Sequence, residues 1–286
     1  MIPLLLALVV GTWNGNWFPS GRAEYRERPE VEGARIEAAG RFLADGLRAA
    51  DPTGTDGVIL VLNEIRDLDC AERLLAAVGR TNLQVAAITM YRLGDKADEQ
   101  QDVIATTLPV VRSRWARWRY NPEANPPRGY AFAAVVVEPA VTAHVYAVHL
   151  KANGGGRDTA VATTNRLKRA AAVDQFLRIE KKGDAPVILA GDFNADRWGE
   201  QFADETIFSA LARAGYANPM VLLPDGRRQT HLSGSALDYV MTRAFLPTAP
   251  PVVFFDRSLS DHAAVFTSLR PVPGPLGTSR ALPRTP

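Results

Sequence analysis

Six points along the chain join an apolar run to one or two short polar side chains suited to metal or proton chemistry. They are Trp13-Asn14, Asn63-Glu64, Val148-His149-Leu150-Lys151, Gly191-Asp192-Phe193-Asn194, Leu237-Asp238-Tyr239 and Ser260-Asp261-His262. In the fourth, Pro186 to Ala190 reads as a buried strand, and the period of two puts Asp192 and Asn194 on one side of the backbone where the strand meets solvent. Alone, that segment reads better as a turn, because Gly, Asp and Asn are all turn formers. Six such points in a chain with only four histidines, two of them at these points, exceed what packing requires.

Glu64, Asp192, Asp238 and Asp261 would repel one another in a shared cleft, so a bound cation would be needed to gather them. The single cysteine, Cys70, excludes an internal disulfide and any Cys-based zinc site, and reads as a small buried hydrophobe. Oxygen ligands then suit Mg²⁺ or Mn²⁺, with Ca²⁺ as a further option, and Mg²⁺ completes its shell with water and substrate phosphate. That points to phosphoryl chemistry. Phosphodiester hydrolysis needs a deprotonated water, stabilised charge at phosphorus and a protonated leaving oxygen. His262 is a natural base, and Asp238 is the candidate partner for its other ring nitrogen. His149 and Lys151, on one face of a strand end, can contact phosphate oxygens or aid the leaving group.

These groups need strands to carry them. Strands are expected over the later half of the first ten residues running into Trp13-Asn14, then over Gly57 to Leu62, Leu83 to Met90, Asp102 to Thr106, Tyr130 to Val137 and Ala143 to Leu150. Pro186 to Ala190, Ala236 to Met241, Val252 to Phe255 and Ala263 to Leu269 complete the set. Helices are expected over Val31 to Ala50, Asp69 to Val78, Asp158 to Lys181 and Asp204 to Ala214. In the long one, Leu167, Ala170, Val173 and Leu177 form the inward face, with Arg166, Lys168, Arg169 and Asp174 outside. Strands in consecutive pairs do not give strict βαβ alternation, so two mostly antiparallel sheets packed together with helices outside fit better.

The stretch Arg112 to Tyr120 interleaves arginines with Trp115, Trp118 and Tyr120. Arginine beside aromatics can grip a nucleic-acid strand, but an edge strand with Trp inward and Arg in water is the preferred reading. Arg128 and the Arg227-Arg228 pair can also hold phosphates. His144 is taken as a surface residue, and Asp196 and Arg197 read either as an extension of the site or as turn or capping residues.

At 286 residues and 47% apolar content the chain can bury a full core. Its net charge of +2 leaves no whole-protein field to attract nucleic acid, so polyanion binding must be local. The apolar start, residues 1–10, resembles a signal-peptide core without a basic n-region or cleavage site. That leaves a secreted or periplasmic location open beside a cytoplasmic one, and the start is too short to span a bilayer. Residues 1–270 are expected to form the working domain, and Pro271 to Pro286, with five prolines, a tail.

The ordered series Thr12-Trp13-Asn14, Glu64-Ile65, His149-Leu150-Lys151, Gly191-Asp192-Phe193-Asn194, Asp238-Tyr239 and Ser260-Asp261-His262 resembles the endonuclease/exonuclease/phosphatase superfamily, including its deoxyribonuclease I-like members. The resemblance covers about residues 4 to 270. It implies a mixed α/β fold, a four-layer α/β/β/α sandwich with two mostly antiparallel sheets face to face. It also implies that Asn14, Glu64 and Asp261 serve the metal, with Glu64 the principal ligand. Asp192 and Asn194 would position water and phosphate, His262 with Asp238 would act on the scissile phosphate, and His149 would be the other catalytic histidine. Whether Asp192 or His262 is the base stays open. Lys151, Asn153, Arg128 and His231 are assigned to substrate. Asn63, Gly15-Asn16 and Ala152 depart from the usual pattern, which bears on subfamily and removes no reactive group.

The expected function is a divalent-metal phosphodiesterase, with DNA as substrate and an endonuclease as the most specific form. The alternatives are a phosphatase or phospholipase acting on inositol phosphate or sphingomyelin, and an inactive binding module. No exposed amphipathic apolar stretch favours a membrane surface. A monomer without a stable protein partner or membrane span is expected.

Overall fold

Parallel pairing of strands that end in polar residues is what organises the molecule. The computed structural model describes residues 7–21, 28–54, 56–98, 100–154, 159–180 and 185–272. The order is β1 (Leu8–Phe18), α1 (Pro29–Ala50), β2 (Gly57–Ile65), α2 (Leu68–Val78), β3 (Gln84–Ile88), a short hairpin of β4 (Arg92–Leu93) and β5 (Lys96–Ala97), and β6 (Gln101–Thr106). Then come β7 (Val110–Arg117), β8 (Gly129–Glu138), β9 (Val141–His149), α3 (Ala160–Glu180), β10 (Val187–Asp192), α4 (Ile207–Arg213), β11 (Asp238–Arg243), β12 (Phe245–Pro247), β13 (Val252–Phe254) and β14 (Ala264–Pro271).

One sheet has the order β12-β14-β1-β2-β6-β3, with β13 also on β14, and the other has the order β11-β10-β9-β8-β7. Each contains one parallel pair, β1 with β2 and β9 with β10, among antiparallel neighbours. Three apolar clusters separate the layers. Ile36, Phe42, Leu43, Leu74 and Leu75 pack α1 and α2 on the first sheet. Val173, Phe176, Phe208 and Leu211 pack α3 and α4 on the second. Between the sheets lie Val10, Ile59 and Val61 against the small side chains of Ala131, Ala133, Ala147 and Ala190, which let the two sheets approach closely. The expected four-layer α/β/β/α sandwich is the one observed.

The long helix needs a correction. Leu167 is 52% exposed, whereas Arg169 is 1% exposed and lies inside with Ala162, Asn165, Ala172, Val173 and Phe176. The apolar stripe was drawn as if every arginine belonged in water. Arg169 is held within by Glu205, with Nη2 2.7 Å from Oε2, so its charge is paired where it is buried. His144 is not a plain surface residue either, since its Nδ1 lies 3.0 Å from Glu180 Oε1 and the side chain is mostly covered.

The arginine and tryptophan stretch forms β7, the edge of the second sheet, as preferred from sequence. Trp118 is buried against Tyr130, Trp115 is half-buried beside Tyr91, and Arg112, Arg114 and Arg117 are exposed. The last strand runs two residues further than expected, to Pro271 opposite Phe245. Residues 1–6, the helix ends placed at Asp158 and Lys181, and the tail beyond Val272 lie outside the described residues. No helix among the described residues is long and apolar enough to cross a membrane.

Candidate active site

Strand register assembles the polar groups. In the first sheet Asn14 pairs with Asn63, which sets Glu64 beside the end of β1. In the second, Asp192 pairs with His149 on one side and with Asp238 on the other. The two strand-end clusters then meet across the sandwich. Asn14 Nδ2 lies 3.0 Å from Asp192 Oδ2 and 3.2 Å from Glu64 Oε1.

Asn63 joins the sheets at their centre. It is fully buried; its Nδ2 donates to Asp102 Oδ1 at 2.7 Å and to the Val148 carbonyl at 3.1 Å, and its Oδ1 accepts the Asp192 amide at 3.0 Å. The pairing of β2 with β6 shifts register between Leu62 and Ile65, and Glu64 takes a left-handed φ of 59° within that irregularity. An irregular step in a ladder re-aims a side chain. Here it turns Glu64 toward Asn14, and Glu64 Oε2 accepts the Trp17 amide at 3.0 Å.

Gly191 is required where it stands. With φ at 135°, a Cβ there would lie 2.0 Å from the Val148 carbonyl oxygen, so only glycine lets β9 and β10 close at this row. Asn194 then turns back with φ of 50°, its amide N–H on Asp192 Oδ1 at 2.7 Å and its Nδ2 on Asp192 Oδ2 at 2.9 Å. Asp192 therefore accepts from Asn14 and Asn194 through side chains and from Asn194 through backbone.

On the other flank Asp238 Oδ2 lies 2.8 Å from His262 Nδ1 and accepts Thr230 Oγ1 at 2.8 Å. Thr230 Oγ1 in turn accepts the Leu237 and Asp238 amides. Ser260 Oγ donates to the Asn14 carbonyl at 2.7 Å and accepts the His262 amide at 3.0 Å, tying the His262 loop to the end of β1. His262 Nε2 faces Asp192 Oδ2 at 3.9 Å, and His149 Nε2 lies 3.5 Å from the same oxygen and 3.7 Å from Glu64 Oε1.

Burial sets the charges. It pushes the Asp192 carboxyl up to about 7 against the pull of His262, with Asp238 and Glu64 adding to the rise. Burial also opposes the His262 imidazolium, but the carboxylates of Asp238 and Asp192 outweigh it and push that ring up to about 10. His149 is driven well below the usual imidazole range by burial and then by Arg128, His262 and Lys151. Glu64 and Asp192 thus face a neutral ring at His149 and a cation at His262.

The donor set fits a hard divalent cation. The Glu64 and Asp192 carboxylates converge on Asn14 Nδ2 with no sulfur nearby, while Asn14 Oδ1 accepts the Asn16 amide at 2.9 Å, and these carboxylate oxygens are the ligands such a cation takes. Asp192, Asp238 and His262 bring ligand atoms within 4.8 Å of one another, as do His231, Asp261 and His262. In the second group His231 Nδ1 lies 2.8 Å from Ser233 Oγ and 3.0 Å from the Ser233 amide, and its Nε2 lies 3.4 Å from Asp261 Oδ2.

Asn14, Glu64, Asp192, Asn194, Asp238, His149 and His262 are thus brought together. Asp261 sits at the margin beside His231, and no described hydrogen bond or ion pair joins it to Glu64 or Asn14. His231 packs edge-on to His262, with ring centroids 4.7 Å apart. Lys151 and Asn153 flank the β9 end on a loop held by Arg169, which donates to the Lys151 carbonyl at 2.8 Å and to Asn153 Oδ1 at 3.4 Å. Arg128 is half-buried on Gln100, and Arg228 is taken up by the Trp198 face, 4.6 Å from its centroid, and by Asp225. Asp196 caps a turn through the Trp198 and Ala236 amides, as expected.

Sequence reading missed Asp102 and the roles of Thr230, Ser260 and Asn63. Thr230 stands next to His231 and Ser260 two residues before His262, both histidines already singled out, and that proximity was the available signal. Asp102 carried none, because a lone carboxylate opening an apolar strand looks like a turn residue.

A model of the Endonuclease/Exonuclease/phosphatase family matches residues 11–262. No curated protein matches the sequence. Among solved structures, an endonuclease/exonuclease/phosphatase from Beutenbergia cavernae is 20% identical with a TM-score of 0.62, over 93% of this chain and 72% of that one. The human Nocturnin catalytic domain is 16% identical with a TM-score of 0.60, over 93% and 94%. Sphingomyelinase C from Streptomyces griseocarneus is 18% identical with a TM-score of 0.55, over 92% and 99%. At these identities the likeness is one of fold.

Proposed function

The chain belongs to the endonuclease/exonuclease/phosphatase family, whose members are generally phosphoester hydrolases, and on that premise we propose that it is a divalent-metal phosphodiesterase that cleaves DNA. The observation that carries the reading is the meeting of Asn14, Glu64 and, from the segment before β14, His262 with Asp192, Asn194 and Asp238 of the second sheet's strand ends. A pair of monobasic groups would suffice for many hydrolyses. A cation held by carboxylates beside a fixed imidazolium suits the single negative charge that a phosphodiester shares over its two non-bridging oxygens.

Glu64, Asn14 and Asp192 would hold Mg²⁺ or Mn²⁺, which supplies charge neutralisation at the phosphate and acidifies a bound water. Asp192 accepts the proton of the attacking water on a carboxylate held in place by the Asn14 and Asn194 side-chain amides. Asn194 holds that water or a phosphate oxygen from the neighbouring position. His262, kept cationic by Asp238, clamps a non-bridging oxygen as negative charge grows on it. Lys151 and the neutral His149 lie on the β9 side, where they meet the remaining phosphate oxygens. DNA is favoured as substrate by Lys151 and Arg128, two cations whose charge reaches the His149 ring.

Plasmid DNA with Mg²⁺ or Mn²⁺ tests the reading: nicking that EDTA abolishes is expected. A panel of duplex DNA, single-stranded DNA, RNA, inositol phosphates and sphingomyelin completes it. DNA left intact with every metal, beside turnover of an inositol phosphate or sphingomyelin, overturns the nuclease assignment.

A further inference from the structure

The second sheet ends in a groove that the chemistry above does not use. It lies between β7 and α3, has a volume of about 490 Å³, and is lined by Arg114, Arg117, Trp118, Arg119, Gln175 and Arg178 among others. All four guanidinium groups belong to exposed residues. Arg178 pairs with Asp174, and Arg117 lies over Tyr91 and donates to the Arg92 carbonyl at 3.0 Å, while among the described residues no ion pair engages Arg114 or Arg119. Arg114 lies over the Phe132 ring, 5.3 Å from its centroid.

The groove is built rather than loose. Gln175 Oε1 accepts the Arg119 amide at 2.7 Å and Gln175 Nε2 donates to the Arg119 carbonyl at 3.0 Å, so the chain leaving β7 is pinned to α3 at two points. Trp118 and Tyr130, both nearly buried and 5.1 Å apart, form its floor. Positive charge along an edge strand is a common guard against edge-to-edge pairing. That accounts for Arg112 and Arg114 but not for Arg119, beyond the strand end, nor for Arg178, on a different element, facing the same space.

Register ties the groove to the catalytic row. Arg117 stands opposite Gly129, Tyr130 opposite Val148, and Val148 opposite Gly191, the residue before Asp192. Three strand spacings separate Arg117 from Gly191, about 14 Å. One strand of duplex DNA advances about 3.4 Å per nucleotide, so that span is about four nucleotides. Lys151 and Arg128 lie along the way, on the strand ends between. An inositol phosphate or a lipid head group bound at Asp192 falls short of it.

We infer that this groove is a second binding site, for the phosphate backbone of a DNA strand whose scissile phosphate sits at Asp192 and His262. The inference rests on the phosphodiesterase reading above and adds to it a requirement for polymer.

The test pairs a polymer with a small diester. Binding of a fluorescent duplex of about 30 base pairs, in EDTA across a salt series, is compared for the wild type and for Arg114→Glu with Arg119→Glu. The double variant is expected to bind at least about tenfold more weakly, with a log–log salt slope shallower by about 2, one per lost phosphate contact. Hydrolysis of bis(p-nitrophenyl) phosphate with Mn²⁺ stays at the wild-type rate, which also shows that the variant is folded. Arg178→Ala, on the other wall, reduces the slope by about 1. Equal affinity and slope in variants and wild type, with DNA still cleaved, overturns the groove and leaves the nuclease reading standing. Displacement of the duplex by polyglutamate at equal charge overturns the assignment to nucleic acid. A wild type that turns over the small diester but neither binds nor cuts DNA overturns both.

Discussion

Asp238 holds His262 through a 2.8 Å contact between Oδ2 and Nδ1, and the same oxygen accepts the Thr230 hydroxyl at 2.8 Å. The carboxylate is thereby fixed in rotation as well as position, and the ring presents Nε2 toward Asp192. Asp238→Asn keeps the shape and removes the charge that sustains the imidazolium. We expect kcat on a small diester to fall by about 10² to 10⁴, with KM little changed and the thermal midpoint near wild type. His262→Ala loses several powers of ten. A variant at either position within a few-fold of wild-type kcat would remove that residue from the chemical step.

The metal prediction has a readout that needs no turnover. If Glu64, Asn14 and Asp192 receive a divalent cation, the ion stabilises the folded chain by mass action, by about 2.7 kcal/mol at a hundredfold excess over Kd. Mg²⁺ or Mn²⁺ should therefore raise the thermal midpoint of the wild type. Glu64→Gln should need at least about tenfold more metal for the same rise, and EDTA should return the wild type to its metal-free midpoint and zero activity. An identical metal response in Glu64→Gln would place the ion elsewhere.

What sequence could and could not reveal follows from the kind of signal each residue leaves. Strand termini such as Asp192 and His262 stand out because a polar group borders an apolar run, and the longer elements followed from such runs while the short β4, β5 and β12 did not. The meeting of Asn14 with Asp192 was legible only through the ordered series, since 178 residues separate them. Asn63 looked like a departure from a family pattern, whereas in three dimensions its amide is shared by Asp102, Val148 and Asp192. Arg169 was misplaced outright, because periodicity ranks arginine as solvent-facing and cannot see Glu205 waiting 36 residues later.

Asp102 makes stability depend on pH. It is fully buried, and burial pushes its carboxyl up from 3.8 to about 7 although Asn63, Arg128 and Tyr91 favour the charged form. Between those values the folded state holds a proton that the unfolded chain has lost, so this group's contribution falls as pH rises from about 4 to about 7. Asp102→Asn keeps an acceptor for Asn63 and cannot ionise. Urea midpoints at pH 5 and pH 8 should therefore differ less for the variant than for the wild type, with the gap narrowed by up to a few kcal/mol. Parallel pH profiles for the two proteins would show that Asp102 is ionised throughout.

Arg169 supports the loop that carries Lys151 and Asn153, and it does so from inside the protein. Its Nε and Nη2 lie 2.9 and 2.7 Å from Glu205 Oε2, while Nη1 donates to the Lys151 carbonyl at 2.8 Å. Arg169→Met strands Glu205, whose carboxyl burial already raises above its usual range, and a buried partner left unpaired costs about 3 to 5 kcal/mol. Part of that loss should return as pH falls toward 5, because the stranded carboxyl then takes up a proton in the folded state. Adding Glu205→Gln removes the charge and should recover most of the stability at pH 8. It cannot restore the donor to the Lys151 carbonyl. The double variant is therefore expected to fold well yet show a raised KM for DNA with kcat nearly unchanged, separating the support of the loop from the stability of the ion pair. A double variant with wild-type KM would confine Arg169 to the core.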